Sequence, residues 1–406
     1  MVRESVRRTR FGVALVAFLL SAAVTVLAFD EPGAVSKPVA EDGKAPAAAP
    51  RGKQHALRIG LSYGDTLTWK SDHELAIGLD DALRLGADWI RIDLSWNNIQ
   101  PSNSYNYNWH RFDRLVAAAQ ERDLQILATI AYTPEWARKP GCPKPTCPPA
   151  DPQAFAAFAK LAAQRYAPKG IHYWEIWNEQ NIRPFWFPNP DPAAYAELLK
   201  VTARAIRGAD RDAYLLFGGL AVVGDSRAKG FVSDLDFVES VSRRGGNKVV
   251  DAISYHPYTY PHLPSARTDF GTAFEKISTA KKNLVAVLQR HGTPRLPIWI
   301  TETGAPTDGP GGATDGRSKE SLKGVTHVTE RRQAEIAADT MAASAANDYV
   351  ESVFWFAQQD SGTKAQRSSR SRFYGLRRYD GTAKPSYEAL QRAIEEYERS
   401  LDKKGD

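Results

Sequence analysis

From Leu57 onward the chain alternates short apolar strands with amphipathic stretches, and the alternation recurs eight times. Candidate strands are Leu57–Leu61, Asp88–Leu94, Gln125–Ala131, His172–Trp177, Tyr214–Gly218, Val250–Tyr255, Pro297–Thr301 and Ser352–Phe356. Between them, segments such as Trp109–Arg122, Pro152–Tyr166, Pro192–Ala209, Phe270–His291 and Thr329–Asn347 carry apolar residues at helical spacing. Strand, helix, strand repeated over about 340 residues is the pattern of a parallel sheet with crossover helices. Eight units predict an α/β fold of the closed (β/α)8 TIM-barrel type. Its rival, an open doubly wound sheet, would place a glycine fingerprint after the first strand, and none follows Leu61.

The 406 residues suffice for one such barrel with appendages, and 43% hydrophobic residues can bury its core. The formal charge of +6 divides evenly: residues 1–56 hold eight Lys/Arg and five Asp/Glu, leaving 45 against 42 for the rest. So weak a balance gives no nucleic-acid footprint, and none is expected as a partner.

The N-terminus lies outside the repeat. Arg3, Arg7, Arg8 and Arg10 precede a largely apolar run from Phe11 to Phe29, the n-region and h-region of an export signal. The run is also long enough to span a bilayer, so residues 1–29 read as either a cleaved signal peptide or a membrane anchor. Residues 30–56, rich in Ala, Pro and charge, read as a flexible linker, and 57–400 as the barrel. The expectation is an exported protein, secreted or anchored at the outer face of a bacterial cell membrane, and a monomer.

In a barrel of this type chemistry gathers where the strands end, because the βα loops converge on that face. The fourth strand runs YWEIWNEQN and the seventh PIWITETG, delivering Glu179 and Glu302 at their tips. Two carboxylates from opposed strands can flank one glycosidic bond, one protonating the leaving oxygen while the other attacks the anomeric carbon. Glu175 shares strand four but lies deeper, where a carboxylate is usually a structural hydrogen-bonding group.

On these motifs the sequence, from about Leu57 to Leu390, resembles the retaining glycoside hydrolases of clan A. The resemblance implies that Glu179 is the acid/base and Glu302 the nucleophile. It further implies that Asn178 bonds the sugar 2-hydroxyl, that His256 and Tyr258 support the nucleophile, and that Arg91 holds it ionised. Trp355, in VFWFAQ, is implied as the floor of the sugar site, and the stretch Phe373–Leu390 resembles the close of many clan barrels. EIWNEQN and YTPEWA are most similar to family 39 and nearby bacterial exopolysaccharide hydrolases, although Gln180 stands where that family has Pro. The activity expected is hydrolysis of an extracellular or envelope polysaccharide or oligosaccharide. A transglycosylase of the same fold and a non-catalytic carbohydrate-binding protein are the alternatives.

Aromatic residues crowd the expected active face: Tyr63 and Trp69, Trp96, Tyr132 and Trp136, Phe185 and Trp186, Tyr258 and Tyr260. Flat apolar platforms suit stacked sugar rings, and so many favour an endo-acting cleft over a one-sugar pocket, with Trp96 and Trp136 among the binding residues. The glycine-rich stretch Gly304–Val328 reads as a flexible lid, and Lys364, Arg367, Arg370 and Arg372 form a basic run that reads as a solvated loop or, alternatively, as an attraction for an acidic polysaccharide. Export favours a disulfide between Cys142 and Cys147. No cofactor is expected, nor a metal, because His256 and His262 find no third ligand at a useful spacing.

Overall fold

The structure is a computed structural model that describes residues 56–316, 322 and 324–405. Signal, anchor and linker expectations fall on 1–55 and lie outside the described residues. Eight parallel strands close into a barrel: β1 Arg58–Gly64, β2 Trp89–Ser95, β3 Gln125–Ala131, β4 Tyr173–Asn178, β5 Tyr214–Ala221, β6 Ala252–His256, β7 Ile298–Thr303 and β8 Val350–Phe356. Each pairs with its sequence neighbours, and β8 pairs with β1. The outer ring is α1 Asp72–Arg84, α2 His110–Gln120, α3 Pro152–Tyr166, α4 Pro192–Arg207, α5 Asp234–Ser242, α6 Leu284–Arg290, α7 Glu330–Ala345 and α8 Pro385–Gly405.

Capping chemistry sets several helix starts. Ser71 and Glu74 form a reciprocal capping box on α1, while Asp151 and Asp191 cap α3 and α4, each followed by Pro at the first helical position. The single helix expected over Phe270–His291 is two pieces, Glu275–Ser278 and α6. Asn283 restarts the helix there: its extended backbone interrupts the run and its side chain accepts from the amide of Ala286.

One end of the barrel is plugged by Trp89, Leu127, Leu216, Ala252, Trp299 and Phe354, with Tyr173 and Tyr214 packed against them. Gly60 is required beside this plug, since a Cβ there would sit 2.3 Å from the Phe354 ring. Filling that end leaves the opposite, C-terminal end for chemistry. The C-terminal segment is stitched to α1 through buried Asp81, which accepts from Arg377 Nε at 2.7 Å, Gln358 Nε2 at 2.8 Å and the Tyr387 hydroxyl at 2.8 Å. In the stretch expected to be a lid, Gly312–Thr314 and Val325–Val328 pair as two short parallel strands.

Candidate active site

Two departures from regular strand geometry build the site. At the end of β4, Trp177 and Glu179 adopt φ of +75° and +45°, values that cost a residue with a side chain about 1–3 kcal/mol. The first turns the Trp177 indole sideways, where its Nε1 donates to the Phe185 carbonyl at 2.8 Å, and the alternation of the strand is broken. Asn178 and Glu179 consequently both reach the barrel axis. In β7 the register against β8 slips, with Ile300 and Thr303 opposite Val353 and Trp355, so three β7 residues span two of β8. Consecutive residues Thr301 and Glu302 therefore both face inward.

Arg91 of β2 lies at the centre. Its guanidinium donates to Glu175 Oε2 at 2.6 Å, Glu302 Oε1 at 2.6 Å, Asn178 Oδ1 at 2.7 Å and Ser62 Oγ at 3.2 Å. Glu175 also accepts from Thr129 at 2.6 Å and Thr301 at 3.1 Å, so it is the structural hydrogen-bonding group expected of its depth. The Tyr258 hydroxyl donates to Glu302 Oε2 at 2.8 Å.

His256 differs from expectation. Its Nδ1 lies 3.2 Å from Glu179 Oε1 and 3.7 Å from Glu302 Oε2, so it bonds the residue read as acid/base rather than the one read as nucleophile. Thr301 Oγ1 donates to Glu175, so it accepts from His256 Nε2 at 3.0 Å. By this network Nε2 carries a proton, and Nδ1 faces Glu179 Oε1. Gly219 makes room, because a Cβ there would lie 2.2 Å from Nε2.

The two carboxylates have opposite environments. One oxygen of Glu179, one of Glu302 and a His256 ring nitrogen all lie within 4.8 Å of one another. Burial pushes Glu179 above the ordinary carboxylate range, the negative charge of Glu302 adds to this, and Oε2 of Glu179 is buried without a partner among the described residues. Burial would raise Glu302 as well, but His256, Arg91 and the Tyr258 hydrogen bond together hold it below that range. Arrangements of this kind keep one carboxyl protonated and its neighbour ionised at the same pH.

Two sequence-predicted contacts, Trp355 and Trp96, fall elsewhere. Trp355 faces away from the axis and lines an apolar gap against the helices with Met341, Leu390 and Ile394. Strand alternation sends residues 353 and 355 outward, so Phe354 and Phe356 are the β8 aromatics that point inward, Phe356 packing on Tyr374 at 5.7 Å. Trp96 is buried against Phe155 and Phe158 of α3, both at 5.7 Å, and bonds Gln100. Trp136 is part exposed, edge-on to Trp96 at 5.6 Å, with its indole donating to the Gln100 carbonyl. Tyr63, Phe185 and Trp186 are likewise buried.

Other residues enter that sequence reasoning missed. Asp93 stands two residues beyond Arg91 on the same face of β2, accepts from the Tyr132 hydroxyl at 3.2 Å, and is pushed up to about 7, chiefly by burial. Its parity with Arg91 was the available signal. Tyr374, from the closing segment, packs on Tyr258 at 5.5 Å and shares a hydroxyl contact with Tyr260 at 2.9 Å. The Cys142–Cys147 disulfide is formed on the loop after β3.

Among the described residues, two groups of His and carboxylate ligands lie close enough to hold a metal. In the first, Glu179, His256 and Glu302, the Arg91 cation and the Tyr258 hydroxyl already occupy Glu302, a donor set that opposes a second cation. In the second, His172, Asp210 and Asp212, His172 Nδ1 is 3.0 Å from both oxygens of Asp210, the arrangement of a bifurcated hydrogen bond.

Residues 55–358 match the family model of the cellulases, glycosyl hydrolase family 5. The fold is similar to that of a family 39 glycoside hydrolase from Bacteroides cellulosilyticus WH2, with TM-score 0.61, 23% identity and 84% of this chain covered, although the match spans only 63% of that longer protein. It is also similar to a GH5_18 protein from Streptomyces cattleya solved with GlcNAc (TM-score 0.62, 17% identity, 86% of this chain and 81% of that one). A monomeric beta-xylosidase from Caulobacter crescentus CB15 gives 0.57 and 17%, covering 84% of this chain and 68% of that one. No curated protein matches.

Proposed function

The chain belongs to the cellulase family, glycosyl hydrolase family 5, and is a clan A glycosidase, and on that premise we propose that it hydrolyses O-glycosidic bonds of an extracellular or cell-envelope polysaccharide with retention of configuration. The observation that carries this reading is the approach of Glu179 and Glu302 oxygens within 4.8 Å, with their acidities displaced in opposite directions. A retaining pair stands about 5–5.5 Å apart, whereas an inverting pair needs about 6.5–9.5 Å to admit a water.

In the first half-reaction ionised Glu302 attacks the anomeric carbon while protonated Glu179 gives its proton to the leaving oxygen, forming a covalent glycosyl-enzyme. In the second, Glu179, now anionic, takes a proton from water, whose oxygen displaces Glu302 from the anomeric carbon. Arg91 keeps the nucleophile ionised and aimed. Asn178 has its carbonyl oxygen held by Arg91, which turns the amide NH2 toward a sugar hydroxyl. His256, hydrogen-bonded to Glu179 at 3.2 Å, orients the acid.

Endo action on a chain of sugars is supported by exposed aromatic side chains on several loops of the active face: Trp69 after β1, Tyr105 after β2, Trp136 after β3 and Phe270 after β6. Export is supported by the basic and apolar run of residues 3–29, which either is cleaved or anchors the enzyme. The test is incubation with a panel of polysaccharides followed by product sizing. Shorter chains are expected; longer chains would mean glycosyl transfer, and binding without products would overturn the enzymatic reading. Glu302→Gln abolishes turnover, while Glu179→Gln keeps activity on substrates whose leaving group needs no proton.

A further inference from the structure

The loop that follows β8 carries a guanidinium, that of Arg370, with no hydrogen-bond partner among the described residues. This loop, 361–372, is pinned at both ends by buried Lys384, whose Nζ donates to Asp360 Oδ1 at 2.8 Å, to the Phe373 carbonyl at 3.3 Å and to Thr307 Oγ1 at 2.8 Å. Asp360 Oδ1 also accepts from the amide of Gly375 at 2.8 Å. Between these pins the Arg370 side chain runs past the backbone of Gly309, where an added Cβ would meet it at 2.9 Å. Its guanidinium comes to rest 5.9 Å from the ring centre of Tyr260. From there the wall is continuous to the reacting groups. The Tyr260 hydroxyl touches that of Tyr374 at 2.9 Å, the Tyr374 ring packs on Tyr258 at 5.5 Å, and Tyr258 holds Glu302.

Three other arginines near this segment are paired: Arg367 with Asp308 at 2.7 Å, Arg377 with Asp81, and Arg378 with Glu330 at 2.6 Å. Arg370 has no carboxylate partner among the described residues, and its Nη2 is buried without any hydrogen-bond acceptor. A buried N–H left unmade is costly and calls for a reason.

We infer that Arg370 forms a carboxylate-binding subsite beside the catalytic pair, and that the polysaccharide cleaved carries uronosyl residues. The planar fork of a guanidinium matches the two oxygens of a carboxylate in a bidentate pair. A single fork suits one monovalent group on a sugar ring. This inference rests on the glycosidase reading above and names the substrate class of the same cleft.

The experiment uses the full chain. Alginate, hyaluronan, gellan and xanthan are each presented beside their carboxyl-reduced forms, in which uronate has become neutral sugar. Binding is measured with Glu302→Gln protein to stop turnover, and cleavage with the otherwise native enzyme. At least one native polymer is expected to bind and be cut. Its affinity should fall about 10- to 100-fold with Arg370→Gln, while the reduced polymer binds both proteins equally weakly. Arg370→Lys, which keeps the charge without the fork, should recover only part of the loss, and it replaces the Gln variant should that one fail to fold. Equal binding of native and reduced polymers, or undiminished binding by Arg370→Gln, overturns the inference. Cleavage of neutral glucans, xylans or mannans with no uronate polymer bound removes the subsite and leaves the glycosidase reading standing. Inertness toward every charged and neutral polymer removes both.

Discussion

The hydroxyl of Tyr258 offers a controlled way to retune the nucleophile. Glu302 accepts from it at 2.8 Å and from Arg91 at 2.6 Å, while His256 stands 3.7 Å away. Burial works to raise the Glu302 pKa, and the neighbouring charges with this hydrogen bond bring it down. Tyr258→Phe deletes one donor and leaves ring packing intact. A hydrogen bond to a charged acceptor contributes about 1.5–3 kcal/mol. A protonated carboxyl still accepts a weaker bond, so about half that difference separates the two forms. At 1.36 kcal/mol per unit this is a rise of roughly one pH unit for Glu302. Glu302 works as the anion, and activity is lost as pH falls through its pKa. The acid limb of the kcat/KM profile should therefore move upward by about one unit, with the alkaline limb, set by Glu179, displaced less. Stability carries the same sign. A depressed carboxylate adds stability that is complete above its unfolded pKa of about 4.3 and vanishes as pH falls through the lower folded value. The stability deficit of the variant should thus be full at neutral pH and shrink in acid. An acid limb that stays in place in a folded variant would refute the electrostatic assignment.

Other perturbations test separate parts of the structure. Arg91→Met strips Glu175 and Glu302 of their common cation, and the buried carboxylates left behind should lower unfolding free energy by about 3–5 kcal/mol in a denaturant titration; a loss below about 1 kcal/mol would mean that the network contributes no more than a surface pair. Trp355→Ala and Phe356→Ala should separate by kind of defect: the first lowers stability by about 3–5 kcal/mol with KM unchanged, and the second raises KM. Reversed results would restore Trp355 to the sugar site. Replacing Cys142 and Cys147 by Ser opens a loop whose cysteines are five residues apart, so thermal unfolding should report a loss of about 2 kcal/mol at most.

The barrel and its two carboxylates were legible in the sequence because alternation of short apolar runs and amphipathic helices is a long-range signal, repeated eight times. Gln125–Ala131 and Pro152–Tyr166 are read to the residue, since Pro152 and Asp151 mark a helix start unambiguously. The site's fine geometry was less legible. A strict two-residue period cannot anticipate the left-handed backbone at Trp177 and Glu179 or the slipped register at Thr301 and Glu302. Those irregularities turn adjacent side chains toward one axis, and they explain how His256 and Thr301 join the site. Trp355 illustrates the converse: there the period does hold, and it carries the tryptophan to the helical layer while Phe356 faces the site. Trp96 shows that an aromatic residue just past a strand is as readily claimed by helix packing as by a cleft.

The central claim is that Glu302 becomes covalently attached to the sugar. The most direct measurement incubates the enzyme with 2-deoxy-2-fluoro glycosides bearing a dinitrophenolate leaving group, maps the labelled peptide by mass spectrometry, and follows the anomeric configuration of the first product by proton NMR. Attachment at Glu302 with a product of unchanged configuration is the expected result. Attachment at Glu179, or a first product of inverted configuration, would contradict it.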